Sequence, residues 1–324
     1  MHRYYTRACN FYYGNKSKFL VNKKRTLPLS GSQVISFDHI EIISRNSKKK
    51  ISLKKINSMP KKFKKQILLD LKKITSKKKN FGKLNFQKIP NIMGVLNLTP
   101  DSFSDGGKFN NKSKGVKHAI QMFEAGANII DVGGESTRPG SKAVSVKLEW
   151  KRLNKILKYI CKRVSVSLDT RKAEIMEKGI KQGVKIINDV SGLTYDKESI
   201  KILKKYKIPF VIQHSKGIPE NMQNKPTYKN ELLDIYDFFE DKIKLLRSIG
   251  IKHNNIIIDP GIGFGKNLKH NMNLISNISI FHTLGLPVLV GNSRKRFIKE
   301  LSGKNDSKKR IGGTVASSIY LMMQ

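Results

Sequence analysis

The hydrophobic pattern of the chain changes at residue 92. From there on, short apolar runs alternate with longer segments in which the apolar residues have helical spacing. The predicted strands are 92–97, 128–132, 165–168, 185–188, 209–213, 255–258 and 287–290, and the predicted helices are 112–126, 145–162, 171–182, 197–206, 230–249, 267–283 and 307–323. Strands separated by helices predict βαβ units and a parallel sheet. The strands show no polar alternation, which indicates that helices cover both faces of the sheet.

Nearly every predicted strand ends in a polar residue or a Gly-rich loop. These strand-end residues are Asn97, Asp131, Asp169, Asn188, Gln213, Asp259 and Asn292. An open doubly wound sheet, the alternative, concentrates its site at one switch point, whereas a barrel brings all its strand ends to one mouth. We therefore predict an α/β fold, a (β/α)8 TIM barrel. Only seven βα units precede the last residue, Gln324, so we expect the barrel to lack its last βα unit.

The first part of the chain has a different texture. Residues 1–90 carry 24 Lys and Arg against 3 Asp and Glu. Two β-like runs lie at 34–37 and 40–43, and the apolar residues at 67–71 predict one amphipathic helix in a Lys-rich stretch that is otherwise expected to be solvated or to act as a linker. We therefore divide the chain into a basic N-terminal extension of unknown role, 1–90, and a barrel domain, 91–324.

The formal net charge of +40 raises the question of nucleic-acid binding. The excess is spread along the chain, because residues 91–324 still hold 40 basic against 21 acidic residues. Charge alone is a weak indication, so we expect no specific nucleic-acid partner, and a nucleic-acid-associated protein that uses residues 1–90 stays as an alternative. There is no secretory signal, no apolar run of the ~18 residues that span a bilayer, and no disulfide framework in two cysteines. We therefore expect a cytoplasmic protein without membrane contact.

Two polar, Gly-containing loops follow the first two predicted strands. The first begins at Asn97, whose side-chain carbonyl could ligate Mg²⁺, a cation that prefers oxygen ligands. A turn rich in Asx and Ser chemistry is the alternative. The second contains Thr137 and Arg138, which offer a hydroxyl and a fork of donors suited to a diphosphate or a carboxylate. Its alternative is a surface loop with one solvated Arg.

Later strands end in residues suited to a flat, polar ligand. Asp169 and Asn188 end consecutive strands, and a carboxylate beside an amide can read the donor–acceptor edge of a heterocycle; capping of the next helix is the alternative. Asp259 precedes a Gly-rich loop that matches neither the Walker form nor the dinucleotide fingerprint. The cations of 294–296 follow the seventh predicted strand, a usual place for phosphate groups in barrels.

Together, in this order and on successive strands, these motifs resemble the dihydropteroate synthase family of pterin-binding TIM barrels. The resemblance covers about 91–324 and rests on N-L-T-P-D-S-F-S-D-G-G, G-G-E-S-T-R-P-G, I-N-D-V-S-G, D-P-G-I-G-F-G-K and S-R-K. The segment from Arg3 to Gly31 also resembles an N-terminal extension of some bacterial members.

The resemblance implies a transferase of folate biosynthesis. It would condense 7,8-dihydropterin-6-ylmethyl diphosphate with p-aminobenzoate to give 7,8-dihydropteroate and diphosphate, with Mg²⁺ as cofactor and sulfonamides as competitors. The implied catalytic residues are Asp169, Asp259, Lys295 and Arg138, the implied substrate-binding residues are Asn188, Thr137, Phe103, Pro139 and Ser293, and the implied metal ligand is Asn97. The family is commonly dimeric, so a homodimer is expected.

The chain departs from the family pattern in two places. Residues 212–217 read I-Q-H-S-K-G, where the family has a Met-His-Met-type segment, and the Arg-x-His motif of the family's last strand is absent. An inactive or fragmentary pterin-binding relative therefore stays as an alternative. A pterin-dependent methyltransferase of the corrinoid type is a further one, although methyl transfer needs no diphosphate site.

Overall fold

The fold contains two separate sheets. The structure, a computed structural model, describes residues 3–87, 90–99, 112–136, 141–217 and 226–324. One sheet is antiparallel with four strands, and the other is parallel with six. None of the helices in these ranges is both long and apolar enough to cross a membrane.

Residues 3–75, here called the N-terminal module, form the antiparallel sheet and two helices. Its elements are β1 (Tyr5–Tyr13), α1 (Gly14–Asn22), β2 (Leu27–Leu29), β3 (Ser32–Ile43), β4 (Lys48–Ser52), a 3-10 helix (Leu53–Ser58) and α2 (Lys61–Thr75). The long β3 pairs with all three other strands. The two predicted β-like runs are thus one strand, and the predicted amphipathic helix is confirmed as α2.

The N-terminal module has an apolar core of its own. Phe37 and Ile40 of β3 pack with Ile67 and Ile74 of α2, and all four side chains are buried. The Lys-rich stretch was expected to be solvated or linking outside its helix, but part of it folds into β4. The reason is that Ile51 supplies a buried anchor to this core while Lys48 to Lys50 stay exposed.

The parallel sheet consists of six strands in sequence order. They are β5 (Met93–Asn97), β6 (Ile129–Gly133), β7 (Val166–Asp169), β8 (Ile186–Asp189), β9 (Phe210–Gln213) and β10 (Ile256–Asp259). Strands β6 to β10 are almost entirely buried, whereas β5 is only partly buried. Six of the predicted strands are therefore confirmed, with bounds that differ by at most one residue at either end. All carboxyl ends lie along one edge because every pair is parallel.

The prediction of a seventh strand at 287–290 was wrong. Val288 makes one isolated parallel bridge to Ile258, and the N–H of Leu289 donates to the Ile258 carbonyl at 2.8 Å. The segment thus lies along β10 without extending the ladder. Pro287 has no backbone N–H to donate, which limits the pairing.

Helices follow the strands as expected. They are α3 (Lys112–Glu124), α4 (Val146–Ile160), α5 (Ala173–Lys181), α6 (Ser199–Tyr206), α7 (Glu231–Ser248), α8 (Leu268–Ser276), α9 (Arg296–Ser302) and α10 (Ile311–Met322), with 3-10 helices at His253–Asn255, Ile278–Leu284 and Ser307–Arg310. The predicted helix 267–283 is interrupted at Asn277, whose side chain donates back to the Asn273 carbonyl at 2.8 Å. Such local bonds compete with helix continuation.

The N-terminal module packs against α7 and the 3-10 helix that follows α8. The Tyr5 hydroxyl donates to Asp237 at 2.8 Å, and its ring meets Tyr236 edge-on at 5.2 Å. The Ser279 hydroxyl donates to the Ala8 carbonyl at 3.0 Å. The antiparallel sheet is therefore joined to the helical layer of the parallel sheet through buried contacts.

Candidate active site

Strand register brings Asn97 and Asp169 together over Gly133. In the sheet, Gly133 lies between the two, because it pairs with Asn97 on β5 and with Asp169 on β7. A Cβ placed on Gly133 would lie 3.3 Å from Asp169 Oδ2 and 3.4 Å from Asn97 Oδ1. The missing side chain thus leaves room for two oxygen donors to converge.

Asp131 and Asn188 are bonded across the strand ends. Asn188 Nδ2 donates to Asp131 Oδ2 at 2.9 Å, and both side chains are buried. Asp131 lies two residues before Gly133 on β6, so both point to the same face. Sequence analysis placed Asp131 among the strand ends without giving it a role. The signal that could have found it was a carboxylate inside an otherwise apolar strand.

Several polar atoms at this edge lack a partner among the described residues. They are Asp131 Oδ1, Asp169 Oδ1, Asn188 Oδ1 and Gln213 Nε2. Buried polar groups are normally hydrogen-bonded, so this edge is built to receive a ligand that carries several donors and at least one acceptor. A planar nitrogen heterocycle has that character.

Burial perturbs the carboxylates of this edge. Desolvation, together with the negative charges of Asp131 and other nearby acids, raises the pKa of Asp169 well above its usual value. Desolvation also raises the pKa of Asp131, against hydrogen bonds from Ser167 and Asn188. A ligand that carries hydrogen-bond donors or positive charge would stabilise the ionised carboxylates and lower their pKa values again.

Asp259 and Lys295 face each other on the far side of the site. Asp259 is buried, its Oδ1 accepts the Gly261 N–H at 2.7 Å, and burial raises its pKa while Lys295 opposes the rise. Lys295 Nζ donates to the Ile262 carbonyl at 2.5 Å and lies 4.5 Å above the Phe264 ring. Burial lowers the pKa of Lys295 to about 8. The register pairs Asp259 with Gln213 at the end of β9, the residue whose Nε2 has no partner among the described residues.

A second lysine, Lys266, joins the loops that follow β9 and β10. Its Nζ lies 3.0 Å from His214 Nδ1 and donates to the carbonyls of His214 and Phe264 at 3.3 and 2.8 Å. Burial lowers its pKa to about 7, with Asp259 opposing the shift. Sequence analysis missed this residue, which holds two of the loops at the strand-end edge together.

A buried ion-pair network supports the end of β6. Glu135 accepts from Arg171 Nε at 2.9 Å, from Lys172 Nζ at 3.0 Å and from the Val144 N–H at 2.8 Å. Lys172 also pairs with buried Glu149. Although burial raises the pKa of Glu135, these donors hold it below its ordinary value. Glu135 therefore links the end of β6 to Val144, two residues before α4.

Ser293, two residues before Lys295, has an exposed side chain. Four more predicted site residues, Phe103, Thr137, Arg138 and Pro139, lie outside the described residues.

Oxygen donors suited to a magnesium ion are limited in number. Within the described ranges, no group of three or more His, Cys, Asp or Glu side chains is placed to hold a metal ion. Asn97 Oδ1 and Asp169 Oδ2, which converge over Gly133, are hard oxygen donors. Mg²⁺ typically takes one or two protein ligands and fills its remaining positions with water and substrate phosphate, so this donor set fits it.

Comparisons with known proteins identify the family of the chain. The family model described as "Pterin binding enzyme" matches residues 93–324. The dihydropteroate synthase of Clostridium beijerinckii is 42% identical over 254 residues, which are 78% of this chain and 90% of that protein. The solved structure of Yersinia pestis dihydropteroate synthase in a sulfonamide drug complex gives a TM-score of 0.69 at 40% identity, over 72% of this chain and 84% of its own. Xanthomonas albilineans dihydropteroate synthase with 4-aminobenzoic acid gives 0.66 at 35% identity, with the same coverage. The chain therefore belongs to the pterin-binding enzyme family and, within it, to the dihydropteroate synthases.

Proposed function

We propose that the carboxyl ends of the parallel strands bind the ring of 7,8-dihydropterin-6-ylmethyl diphosphate and that the chain joins this substrate to p-aminobenzoate. The observation that carries the proposal is the set of buried polar atoms without partners at one edge of the sheet. They offer a pterin ring both acceptors and a donor at the strand ends. The Xanthomonas albilineans relative was solved with 4-aminobenzoic acid, which supports the second substrate.

Asp169, Asn188 and Asp259 are the proposed pterin ligands, and Asp131 joins them. The carboxylates accept ring N–H groups, and Asn188 can accept through its unpartnered Oδ1. When the C–O bond to diphosphate breaks, both electrons leave with the diphosphate and the pterin methylene becomes cationic. Buried carboxylates then offset the developing positive charge, which is a larger effect in a dry site than in water.

Lys295 is the proposed catalytic cation. It lies beside Asp259 at the start of α9 and is positioned by the Ile262 carbonyl and the Phe264 ring. From there it contacts the pterin on the side opposite Asp169. The arylamine nitrogen of p-aminobenzoate forms the new C–N bond and then releases a proton. No covalent enzyme intermediate is required.

The diphosphate is assigned to the carboxyl end of β5, the first strand of the parallel sheet. Asn97 would hold Mg²⁺ there, and a bound ion would supply positive charge to offset that of the leaving diphosphate. Thr137 and Arg138 are proposed to bind the diphosphate and p-aminobenzoate, and Ser293 the pterin substrate. Phe103 and Pro139 are proposed to wall the p-aminobenzoate site, where sulfonamides compete; a sulfonamide is bound in the Yersinia pestis relative.

The six-stranded sheet is proposed to be the larger part of a (β/α)8 barrel. The strand order, which follows the sequence, and the TM-scores to the relatives support a barrel. The domain boundary near residue 90 is supported by the start of the family match at residue 93 and by the separate N-terminal sheet. A cytoplasmic homodimer completes the proposal.

The proposed function is tested by following diphosphate and dihydropteroate release on the full chain with Mg²⁺. Both products should form at equal rates and only when p-aminobenzoate is present. Diphosphate release that does not depend on p-aminobenzoate would indicate hydrolysis. Methyl transfer to a corrinoid would support the alternative, a pterin-dependent methyltransferase.

A further inference from the structure

Two arginines of the N-terminal module pair with successive turns of α7. Arg45, in the turn between β3 and β4, contacts Asp234 Oδ1 at 2.8 Å and Asp237 Oδ2 at 3.0 Å. Arg3 contacts Asp237 Oδ1 at 3.0 Å and Glu240 Oε2 at 2.8 Å. In a βα unit the helix begins near the carboxyl end of the preceding strand. Arg45 therefore pairs with the end of α7 nearest the active site, and Arg3 with the turns beyond it.

Asp234, one of the two aspartates that Arg45 contacts, also binds the backbone that precedes α7. Asp234 Oδ2 accepts the backbone N–H groups of Lys229 and Asn230, each at 3.1 Å. Asn230 in turn caps the helix by accepting the Leu233 N–H at 3.1 Å. A guanidinium on the other oxygen fixes the orientation of the Asp234 carboxylate. The position of residues 229–230 thus depends on a residue of the N-terminal module.

Residues 226–230 in turn contact the loops that carry the site. The Tyr228 hydroxyl donates to the Gly265 carbonyl in the loop after β10 at 2.9 Å. The Tyr228 ring lies 6.1 Å from the ring of His214, in the loop after β9, and 4.6 Å below Lys216 Nζ. His214 is the residue that Lys266 joins to the β10 loop. The contacts run without a break from the N-terminal module to the edge where Asp259 lies.

The two parts also face each other across a cleft. Arg45, Asn46, Lys229, Asn230 and Asp234 line a cleft of about 510 Å³. The turn from β3 to β4 is held in shape by Ser44, whose N–H donates to the Ser47 carbonyl at 2.8 Å. Arg45 is thus presented from a fixed turn.

We propose that the N-terminal module is a positioning element of the active site and that Arg45 is its positioning residue. Through Asp234, Arg45 holds the segment 226–230, and this segment holds residues 214–217, which follow β9, and the loop after β10 in the arrangement that binds the dihydropterin substrate. This inference rests on the proposed function. It gives residues 3–75 a role in substrate affinity, separate from their role in packing.

The size of the effect follows from solvent exposure. The side chains of Arg45 and Asp234 are 45% and 27% exposed, so solvent and salt screen the pair. Replacing Arg45 by Gln is therefore expected to raise the KM for the dihydropterin substrate by about two- to fivefold, the range of an exposed ion pair. The kcat should change less, because Arg45 touches no reacting group.

Arg3→Gln is the matched control. It removes the same kind of ion pair from the same helix but leaves the bonds of Asp234 in place. We expect Arg3→Gln to leave KM unchanged, and we expect the KM difference between Arg45→Gln and the wild type to vanish at about 1 M salt, where the Debye length is about 3 Å. Equal KM values for both variants would overturn the inference.

Hydrogen exchange at the Lys229 and Asn230 amides provides a readout without catalysis. Both amides should exchange faster in Arg45→Gln than in Arg3→Gln, while the amides of β9 and β10 keep their protection. Unchanged protection at residues 229 and 230 would overturn the inference even if KM moved. If the wild type released no dihydropteroate, the proposed function would fail, and the exchange data would still decide whether Arg45 holds this segment.

Discussion

Asn188 Nδ2 donates to Asp131 Oδ2 at 2.9 Å, although their strands are not neighbours in the sheet. β7 lies between β6 and β8, so the bond passes in front of a strand. The bond uses the amide nitrogen of Asn188 and one carboxylate oxygen of Asp131. The Oδ1 atom of each residue has no partner among the described residues. The pair is thus half satisfied by the protein, and the remaining oxygens are left for a ligand.

Lys295 should control the alkaline side of the pH profile. Its pKa is lowered by burial to about 8, so the amine is charged below that pH and neutral above it. If the charged form is needed, kcat/KM should fall as pH rises through about 8. Lys295→Ala should lower turnover by about a hundredfold or more and should flatten this limb. The control is Lys299→Ala, an exposed lysine on α9, which should leave the profile unchanged.

Asp169→Asn should affect activity and stability in opposite directions. Loss of the charge should lower kcat/KM by roughly 10- to 100-fold, because hydrogen bonds to charged groups are worth about 1.5–3 kcal/mol. Desolvation and the neighbouring acids raise the pKa of Asp169, so the charge is unfavourable in the free protein. Urea unfolding at pH 7 should therefore show a gain of order 1 kcal/mol. Asp241→Asn, at an exposed site, is the control; a loss of stability in Asp169→Asn alone would contradict this account.

Gly133→Ala should weaken the proposed magnesium site without unfolding the protein. The new Cβ would lie 3.3 Å from Asp169 Oδ2 and 3.4 Å from Asn97 Oδ1, so both oxygens must shift by a few tenths of an ångström. Displaced supporting groups of this kind cost about 10- to 100-fold in metal affinity. The Mg²⁺ concentration for half-maximal activity should rise accordingly. Gly312→Ala, where a Cβ meets nothing within 4 Å, should behave as the wild type.

The parallel sheet could be predicted from sequence because its strands are continuous apolar runs between segments with helical spacing. The segment 287–290 has the same pattern but makes only one bridge, since pattern does not report whether a partner strand accepts the bonds. The N-terminal module was harder. Strand β4 begins with three lysines, and this composition predicted a solvated segment. The buried side chain of Ile51 nevertheless anchors the strand in the core of the N-terminal module.

The site was predictable where one residue type at a strand end carried the signal, as for Asp169 and Asp259. It was not predictable where function depends on pairs distant in sequence. Asp131 gains meaning only through Asn188, 57 residues away, and Glu135 through Lys172, 37 residues away. Such pairs exist only after register and packing are fixed.

Pterin binding to the strand-end edge is the central claim, and calorimetric titration of 6-hydroxymethylpterin into the full chain tests it most directly. The wild type should bind one pterin per chain, and Asn188→Ala should weaken binding by roughly 10- to 100-fold, since it removes a ligand contact and one hydrogen bond to Asp131. The control Asn254→Ala, at an exposed position, should bind as the wild type does. Equal pterin affinity in all three proteins would contradict the assignment of this edge as the pterin site.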